Sequence, residues 1–350
     1  MGPAALRATV LLLLGLRVSA TAPPETAEPR LSQAELTQMF EDFVIRFNKT
    51  YGSPEERRRR LGIFARAMED ARRLQEAAGD AARFGPTRFS DRTEEEFRGA
   101  PWTPLDSRPP RPPLQVPPRK SVPPSCDWRK ARAVTPPGDQ GDRCRACWAF
   151  ASVANVESLW FIHFKKLYKL SVQEVLDCSG LKDACAGGYP WDAFGTIYTV
   201  GVTTAAHYPY QARQGQCRWN QNYVLRIHGF QTLPSNETEL AALVAKRGPI
   251  TVIMNARLLQ NYRSGIITRH LSHNCNPDLL DHVVLIVGYG QENKIPYWIV
   301  KNSYGLDWGE KGYFRIYRGG NACGIAEVPL TSTVGQDGAG GRAHRARCPA

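Results

Sequence analysis

The chain has 350 residues, of which 42% are hydrophobic and 10% aromatic, and its formal net charge is +12. That apolar content excludes a wholly disordered chain, and the length allows two domains of ordinary size. The positive charge does not predict a nucleic-acid partner. The densest basic run, Arg57–Arg60, follows Glu55 and Glu56 in a stretch with helical spacing, which is typical of a solvated helix face.

The N-terminal region contains a short apolar run, Ala8–Leu16, directly after Arg7. The run is too short to cross a bilayer, and small residues follow it at Val18–Ala20. These features predict a secretory signal peptide over residues 1–20, and no other run predicts a transmembrane segment. We therefore expect a protein of the secretory pathway lumen. Nine cysteines in that oxidising setting predict disulfides and one unpaired thiol.

Two modules of different composition follow, joined by a proline-rich linker. Residues 31–99 are highly charged and place apolar residues at helical spacing, so we expect helices there. Residues 101–124 contain 10 prolines, which predicts an extended linker without a core of its own. The basic pair Arg119-Lys120 near the end of this linker is a natural processing site. The helically spaced apolar residues are Phe40, Phe43, Val44, Phe47, Leu61, Phe64, Ala65, Met68 and Leu74.

From about Val122 the chain becomes dense in Trp, Tyr, Gly and Cys, and it contains short apolar runs that predict strands. The tail 335–350 is rich in Gly and Arg, so we expect it to be flexible apart from Cys348. Asn48 and Asn236 each begin an Asn-X-Thr sequon and are predicted glycosylation sites. The predicted strands are Ile250–Met254, Val283–Val287, Tyr297–Val300 and Tyr313–Tyr317.

Cys147 has the setting of a reactive cysteine. A turn rich in Gly and Asp ends at this residue, and an amphipathic helical run continues from there to Trp160. A cysteine at a helix N-terminus faces free backbone N–H groups and the positive end of the helix dipole. Both favour the thiolate, which is the nucleophilic form of the side chain, so Cys147 is the candidate nucleophile.

Three other interpretations of Cys144 and Cys147 remain open at the level of the residues. The two could form a thioredoxin-type redox pair, although no βαβ pattern precedes them. They could form half of a zinc site, although Cys178 and Cys185 are too far apart to supply the second close pair. They could also both be ordinary disulfide partners. Nine cysteines cannot all be paired, but the odd number does not show which cysteine is free.

A nucleophilic thiolate needs a base, and the base needs a partner that orients it. His282 follows Asp281 and begins a predicted strand, so its ring can face a cleft; a hydrogen-bonded histidine at a strand end is the simpler alternative. Asn302 is the candidate orienter, although an Asn in such a sequence is more often a turn residue. Gln140 and the backbone N–H of Cys147 are the candidate oxyanion donors.

Taken together, five segments resemble the papain-type cysteine proteases, and the resemblance covers nearly the whole chain. It implies an α+β papain-like fold with a helical domain and an antiparallel, barrel-like β domain. It implies Cys147 as nucleophile, His282 as base and then acid, Asn302 as orienter and Gln140 in the oxyanion hole, with no cofactor and no metal. The segments are Asp139-Gln140-Gly141, Cys144 with Cys147-Trp148-Ala149-Phe150, Cys178 with Cys185-Ala186-Gly187-Gly188, Asp281-His282 and Lys301-Asn302-Ser303.

Upstream, the helical module resembles the propeptide of this family, with Ala67 where the helix motif has Asn. The resemblance implies a zymogen whose own propeptide is an intramolecular inhibitor. We expect residues 21–120 to form the propeptide and residues 121–350 the peptidase domain, with 331–350 as a C-terminal extension. The matching residues are Glu56, Arg60, Phe64, Ala71, Gln75, Phe89-Ser90-Asp91 and Glu96-Phe97.

The resemblance also implies three disulfides, Cys144 with Cys185, Cys178 with Cys217, and Cys275 with Cys323. Cys126 and Cys348 remain near the two ends of the mature region, and our hypothesis is that they pair. Ile253 stands where many relatives have Ala, which predicts a preference for a small apolar substrate side chain. The implied walls of the non-primed pockets are Gly187, Gly188, Tyr189, Pro190, Ile253, Val283 and Val328.

Three departures from the family pattern indicate an enzyme that is narrow or slow. One residue more than usual separates Gln140 from Cys147, and a shift of about 1 Å in an oxyanion donor can cost on the order of 100-fold in rate. Arg145 replaces a Gly that usually lines the cleft. Tyr304 replaces the Trp that usually shields the orienting Asn from water.

We therefore predict a cysteine endopeptidase that hydrolyses peptide bonds through an acyl-enzyme. The alternative is a papain-fold protein with little or no turnover that binds peptides or partners, and a non-catalytic disulfide scaffold is a third interpretation. We expect peptide or protein substrates, cystatin-type inhibitors, a monomer, and an endoplasmic reticulum, endolysosomal or secreted location. The residues Arg347-Cys348-Pro349-Ala350 do not resemble a Lys-Asp-Glu-Leu retention signal.

Overall fold

The computed structural model describes residues 31–99, 122–218, 223–335 and 347–350. The predicted signal peptide, nearly all of the proline-rich linker and most of the C-terminal tail lie outside the described residues. Within the described residues, none of the helices combines the length and apolar character that crossing a membrane requires.

The described residues form eight α-helices and nine β-strands. The helices are α1 (Gln33–Arg46), α2 (Pro54–Ala78), α3 (Glu94–Arg98), α4 (Cys147–Phe164), α5 (Val172–Cys178), α6 (Pro190–Thr199), α7 (Glu237–Arg247) and α8 (Arg269–Ser272). The strands are β1 (Ala82–Phe84), β2 (Cys126–Asp127), β3 (Gly229–Thr232), β4 (Ile250–Met254), β5 (Tyr262–Ile267), β6 (His282–Glu292), β7 (Ile295–Lys301), β8 (Tyr313–Tyr317) and β9 (Leu330–Thr333). All four predicted strands are confirmed, two of them with extended ends.

The N-terminal module is a pair of helices with a small aromatic core of its own. Ser32 caps α1 in a capping box, and Ser53 caps α2 ahead of a proline, which satisfies backbone N–H groups that a helix start leaves unpaired. Phe43 of α1 and Phe64 of α2 are both buried, with ring centroids 4.9 Å apart. The helical spacing in the sequence therefore corresponds to a real packing face.

Helix α4 runs through the centre of the peptidase module and is buried on nearly all sides. Its N-cap, Ala146, supplies no side-chain hydrogen bond to the helix. The N–H groups of the first turn are therefore left for other acceptors, and Cys147 is the first helical residue. This arrangement is the helix N-terminus that the sequence predicts for this cysteine.

The strands form one sheet in the order β1-β5-β8-β7-β6-β4-β9-β3, with β2 paired to β6. All the pairs are antiparallel except β5 with β8. The strand β1 comes from the N-terminal module and joins the sheet at β5, where Ala82 pairs with Gly265. Gly265 has a φ of +89°, and a β-carbon there would collide with the backbone of Ala81, so this junction requires glycine.

Four disulfides cross-link the described residues and leave Cys147 as the free cysteine. They join Cys126 to Cys348, Cys144 to Cys185, Cys178 to Cys217 and Cys275 to Cys323. Because the sulfur of Cys144 is bonded to Cys185, neither the redox pair nor the zinc half-site fits this region. Three of these disulfides are the pairs that the resemblance implies, and the fourth is the hypothesised pair of Cys126 with Cys348.

The disulfide between Cys126 and Cys348 fastens the end of the chain to β2. Beside it, the backbone N–H of Asp127 donates to the carbonyl of Pro349 at 2.8 Å. The Nζ of Lys130 donates to the carbonyl of Ala350 at 2.6 Å. The C-terminal residues are therefore held by one covalent bond and two hydrogen bonds close to the start of the peptidase module.

Replacing Cys348 by serine should lower the free energy of unfolding by roughly 2–4 kcal/mol, because it removes a cross-link between residues 222 apart in sequence. The thermal unfolding midpoint of the full chain, read by circular dichroism, measures the effect. The double variant Cys126→Ser/Cys348→Ser is the control, since it removes the cross-link without leaving a lone thiol. An unchanged midpoint in both variants would contradict the prediction.

Candidate active site

The candidate nucleophile lies against the strand that carries the candidate base. Cys147 is 4% exposed, and the backbone N–H groups of Val283 and Trp148 act on its sulfur to lower the pKa of the thiol, against the larger effect of burial. Val283 directly follows His282 in β6. The contact therefore brings the N-terminus of α4 to the first residues of β6, so that two residues far apart in sequence share one site.

The candidate orienter is hydrogen-bonded to the histidine. The Nε2 of His282 lies 2.8 Å from the Oδ1 of Asn302, and that oxygen also accepts the backbone N–H of Ser303 at 2.8 Å. An atom that accepts from a backbone N–H is the amide oxygen, so Nε2 of the histidine is the donor. The proton on Nε2 leaves Nδ1 free to exchange a proton with a neighbouring thiol.

Tyr304 takes the place of the shielding Trp and still covers the histidine. Its ring stacks on that of His282 with centroids 5.0 Å apart and an interplanar angle of 22°. Tyr304 is itself buried, between Trp308 of the peptidase module and Phe89 and Phe97 of the N-terminal module. Side chains of the N-terminal module therefore pack against this smaller aromatic residue.

Gln140 is held in place despite the extra residue that separates it from Cys147. Its backbone N–H donates to the carbonyl of Ser303 at 2.9 Å, and its side-chain Oε1 accepts from the Oγ of Ser303 at 2.7 Å. Tyr210 donates its hydroxyl to the carbonyl of Gln140 at 2.8 Å. These contacts fix the amide oxygen, so the Nε2 of Gln140 is the end available as a donor.

The N-terminal module covers this cleft. Thr87 and Ser90 bond to the peptidase residues Gln260 and Asn261, with Ser90 donating to the Oδ1 of Asn261 at 2.8 Å. Arg92 forms an ion pair with Asp142 at 2.7 Å. These contacts place the segment before α3 beside the cleft, and α3 then ends against the cleft wall.

The last described residues of the N-terminal module contact both sides of the site. Arg98 forms an ion pair with the buried carboxylate of Asp281, the residue before His282. Gly99 follows, and the guanidinium of Arg145 occupies the space that a β-carbon on residue 99 would need. No sequence motif predicts these contacts, since they join residues that are far apart in the chain.

In this covered state the catalytic candidates are held neutral. Burial raises the pKa of the Cys147 thiol to about 11 and outweighs the opposing hydrogen bonds from Val283 and Trp148. Burial lowers the pKa of His282 to about 4, against the effect of its bond to Asn302. The thiolate expected from the helix N-terminus is therefore not the favoured form while the cleft is covered.

The implied pocket walls come from several separate segments of the peptidase module. Gly188 approaches Trp148 so closely that a β-carbon would lie 2.8 Å from the indole ring. Tyr189 caps α6 at Pro190, while Ile253 and Val283 are partners in register between β4 and β6. Val328 is also buried. The preference for a small apolar substrate side chain beside Ile253 stays a prediction.

Both sequons lie on the surface. Asn48 is exposed just after α1, with a φ of +48°. Asn236 is the exposed N-cap of α7, and its Oδ1 accepts the backbone N–H groups of Thr238 and Glu239. Glycosylation at these positions stays a prediction.

Family models match most of the chain. One described as "Papain family cysteine protease" matches residues 122–333, and one described as "Cathepsin propeptide inhibitor domain (I29)" matches residues 40–97. The chain therefore belongs to the papain family of cysteine proteases and carries a cathepsin-type inhibitory propeptide domain.

Curated relatives place the chain within that family. Cathepsin W of Felis catus is 39% identical, over 93% of this chain and 94% of its own length. Cathepsin W of Mus musculus is 40% identical over the same shares, and cathepsin F of Mus musculus is 40% identical over 87% of this chain and 67% of its own. These relatives confirm a resemblance to cathepsin W, with cathepsin F as the alternative. The segments of this chain that resemble cathepsin W are Ser125-Cys126-Asp127-Trp128-Arg129-Lys130, Val172-Gln173-Glu174, Trp191-Asp192-Ala193-Phe194 and Trp308-Gly309-Glu310-Lys311-Gly312-Tyr313-Phe314.

Solved structures of protease precursors share the fold. A digestive procathepsin L 3 of Tenebrio molitor has a TM-score of 0.75 and 33% identity, covering 85% of this chain and 99% of that one. A stem bromelain precursor has a TM-score of 0.76 and 35% identity, covering 86% and 99%. The α+β papain-like fold with an N-terminal propeptide is therefore confirmed, and the chain is a cysteine protease of the zymogen type.

Proposed function

We propose that the protein is a cysteine endopeptidase similar to cathepsin W, in which Cys147 is the nucleophile, His282 the acid and base, and Asn302 the orienter. One observation carries the proposal. The free cysteine begins a buried helix, and its thiol is within the influence of the N–H of Val283, the residue after a histidine whose Nε2 is bonded to an amide oxygen. This is the arrangement that a thiol nucleophile requires.

The reaction begins when the propeptide leaves and water reaches the pair. The proton of Cys147 moves to Nδ1 of His282, and the thiolate attacks a peptide carbonyl carbon. The developing oxyanion accepts hydrogen bonds from the N–H of Cys147 and the Nε2 of Gln140. His282 then protonates the leaving amine, and afterwards it takes a proton from the water that hydrolyses the acyl-enzyme and frees Cys147.

Covalent labelling of the processed protein tests the proposal. An epoxide or vinyl-sulfone inhibitor should modify Cys147, and the variant Cys147→Ala should take up none. Turnover of a quenched-fluorescence peptide by the same preparation separates the enzyme from the alternative, a peptide binder with little turnover. Absence of both labelling and turnover in processed protein would reject the proposal.

We further propose the division of the chain into a signal peptide at 1–20, a propeptide at 21–120 and a peptidase domain at 121–350. The peptidase match at residues 122–333 begins next to the proposed start of that domain, and the propeptide match at residues 40–97 lies inside the proposed propeptide. Peptides or proteins are the substrates, and cystatin-type proteins are proposed as inhibitors of the monomeric enzyme. The relatives support routing through the secretory pathway, with the endoplasmic reticulum or endolysosomes as the proposed compartment.

Substituting Ser303 by alanine should lower kcat about tenfold, since it removes the hydroxyl that donates to the Oε1 of Gln140. The amide then rotates freely, and its Nε2 is no longer aimed at the oxyanion. Steady-state kinetics of the processed enzyme measure the change. Ser303→Thr keeps the hydroxyl and is the control. If kcat falls equally in both variants, the substitutions act by disturbing the packing of the site and not through the hydrogen bond to Gln140.

Replacing Arg98 by alanine should let the uncleaved zymogen react with an epoxide label about tenfold faster, because it leaves the carboxylate of Asp281 buried without its charged partner. The label bound to Cys147, counted by mass spectrometry of intact zymogen, measures the rate. Arg58→Ala is the matched control, since it breaks an exposed ion pair with Glu55 inside α2. Equal rates for the two variants would contradict the prediction.

A further inference from the structure

The propeptide shows where a peptide backbone lies relative to the charged groups of the cleft. Arg98 pairs with Asp281, which precedes His282, and the next residue, Gly99, lies beneath the guanidinium of Arg145. Arg145 in turn is two residues before Cys147. Consecutive residues of one chain therefore reach walls on both sides of the catalytic pair, so Arg145 stands where a bound peptide crosses the nucleophile.

The space beneath Arg145 admits no side chain while the guanidinium stays in place. A β-carbon on residue 99 would collide with the guanidinium atoms, and Gly99 has a φ of +78°, which favours glycine. The backbone of Arg145 is fixed, because its N–H donates to the carbonyl of Cys185 at 2.9 Å and its neighbour Cys144 is disulfide-bonded to that residue. The side chain of Arg145 therefore extends from a fixed backbone position beside Cys185, in the wall that continues to Gly187.

The described residues offer Arg145 no carboxylate partner. Asp142, three residues earlier, is paired with Arg92 of the propeptide. Asp183 accepts the backbone N–H groups of Cys185 and Ala186. A charged donor that faces the cleft without a carboxylate can form its best hydrogen bonds with whatever acidic group a substrate brings.

We propose that Arg145 makes the mature enzyme prefer peptides with an acidic side chain directly on the non-primed side of the scissile bond. The inference rests on the proposed function. Arg145 lies on the Cys185–Gly188 wall, which the family resemblance assigns to the non-primed side, whereas Asp281 lies on the opposite wall. An Asp or Glu carboxylate there accepts two parallel N–H bonds from the guanidinium, and a lysine in the same place is repelled.

Matched peptides that differ only at that residue test the preference. Enzyme processed from the full chain, with active sites counted by covalent label, should show kcat/KM about tenfold higher for Glu than for Gln, and lowest for Lys. Arg145→Gly should remove the difference, and Arg145→Lys should keep part of it. Asp142→Asn should preserve or sharpen it, because release of the propeptide frees Asp142, three residues before Arg145, from its ion pair with Arg92.

The possible results distinguish a failure of this inference from a failure of the proposed function on which it rests. An Arg145→Gly enzyme that is labelled and active but keeps the Glu-to-Gln ratio of the wild type would overturn the role of Arg145 alone. A wild-type enzyme that is labelled and cleaves Gln and Glu peptides equally would do the same. A processed protein that neither takes the label nor cleaves any of the peptides would overturn both proposals.

Discussion

Release of the propeptide should raise the rate at which iodoacetamide alkylates Cys147 at pH 7 by about 1000-fold or more. In the covered state burial raises the pKa of the thiol to about 11, so the reactive thiolate is on the order of one part in 10⁴ at neutral pH. Once water enters the cleft, the N–H groups of Val283 and Trp148 and a protonated His282 all favour the thiolate. The pKa of Cys147 should then fall below neutrality.

The experiment compares intact zymogen with processed enzyme from the same preparation. Incubations are kept short at neutral pH, and a gel confirms that the zymogen has not been cleaved. The full-length variant Cys147→Ser supplies the background of alkylation outside residue 147, since the other cysteines are disulfide-bonded. Alkylation at similar rates in the two forms would show that the propeptide does not control the ionisation of the thiol.

Much of the site was predictable because its local signals are strong. Cys147 follows a turn and begins an amphipathic run, and a helix does start there. His282 precedes a run of β-branched residues, and β6 does begin at it. The local sequence of Asn302 favours a turn residue. The structure adds that its side chain, just after β7, is bonded to His282.

What could not be predicted depends on contacts between distant segments. Nothing in the local sequence of Arg98 indicates a partner at Asp281, and the fit of Gly99 beneath Arg145 requires the docked propeptide. The helix N-terminus alone predicts a thiolate at Cys147, but burial in the covered cleft reverses the balance. Tyr304 illustrates the same limit. The residue is smaller than Trp, yet it remains buried because Phe89 and Phe97 pack against it.

In the variant Cys147→Ser, the free energy that holds the propeptide on the cleft should fall by about 3 kcal/mol as the pH goes from 7 to 4, because of His282. In the covered state the pKa of His282 is about 4, whereas an uncovered imidazole without a thiolate beside it has its ordinary value of 6.5. The uncovered state therefore takes up a proton first, below pH 6.5. The stability of covering is fully present above that pH and is lost progressively down to pH 4.

Other ionisable groups at the cleft act in known directions. Burial raises the pKa of Asp281, so proton uptake there favours the covered state and opposes His282, while Arg98 stays charged. Cys147 would oppose His282 as well, because its thiol is protonated in the covered state and ionised in the uncovered enzyme at neutral pH. The variant Cys147→Ser removes this group, so that proton uptake by His282 below pH 6.5 should loosen the propeptide.

Hydrogen exchange measures this in the full-length variant Cys147→Ser, which cannot process itself. After correction for the pH dependence of intrinsic exchange, protection of the amides in α3 should fall between pH 6.5 and pH 4. In the double variant Cys147→Ser/His282→Gln the side chain at position 282 carries no charge at any pH, so the fall should largely disappear. If both variants lose protection with the same slope, the carboxylates rather than the histidine control release, and the assignment of the acid response to His282 is wrong.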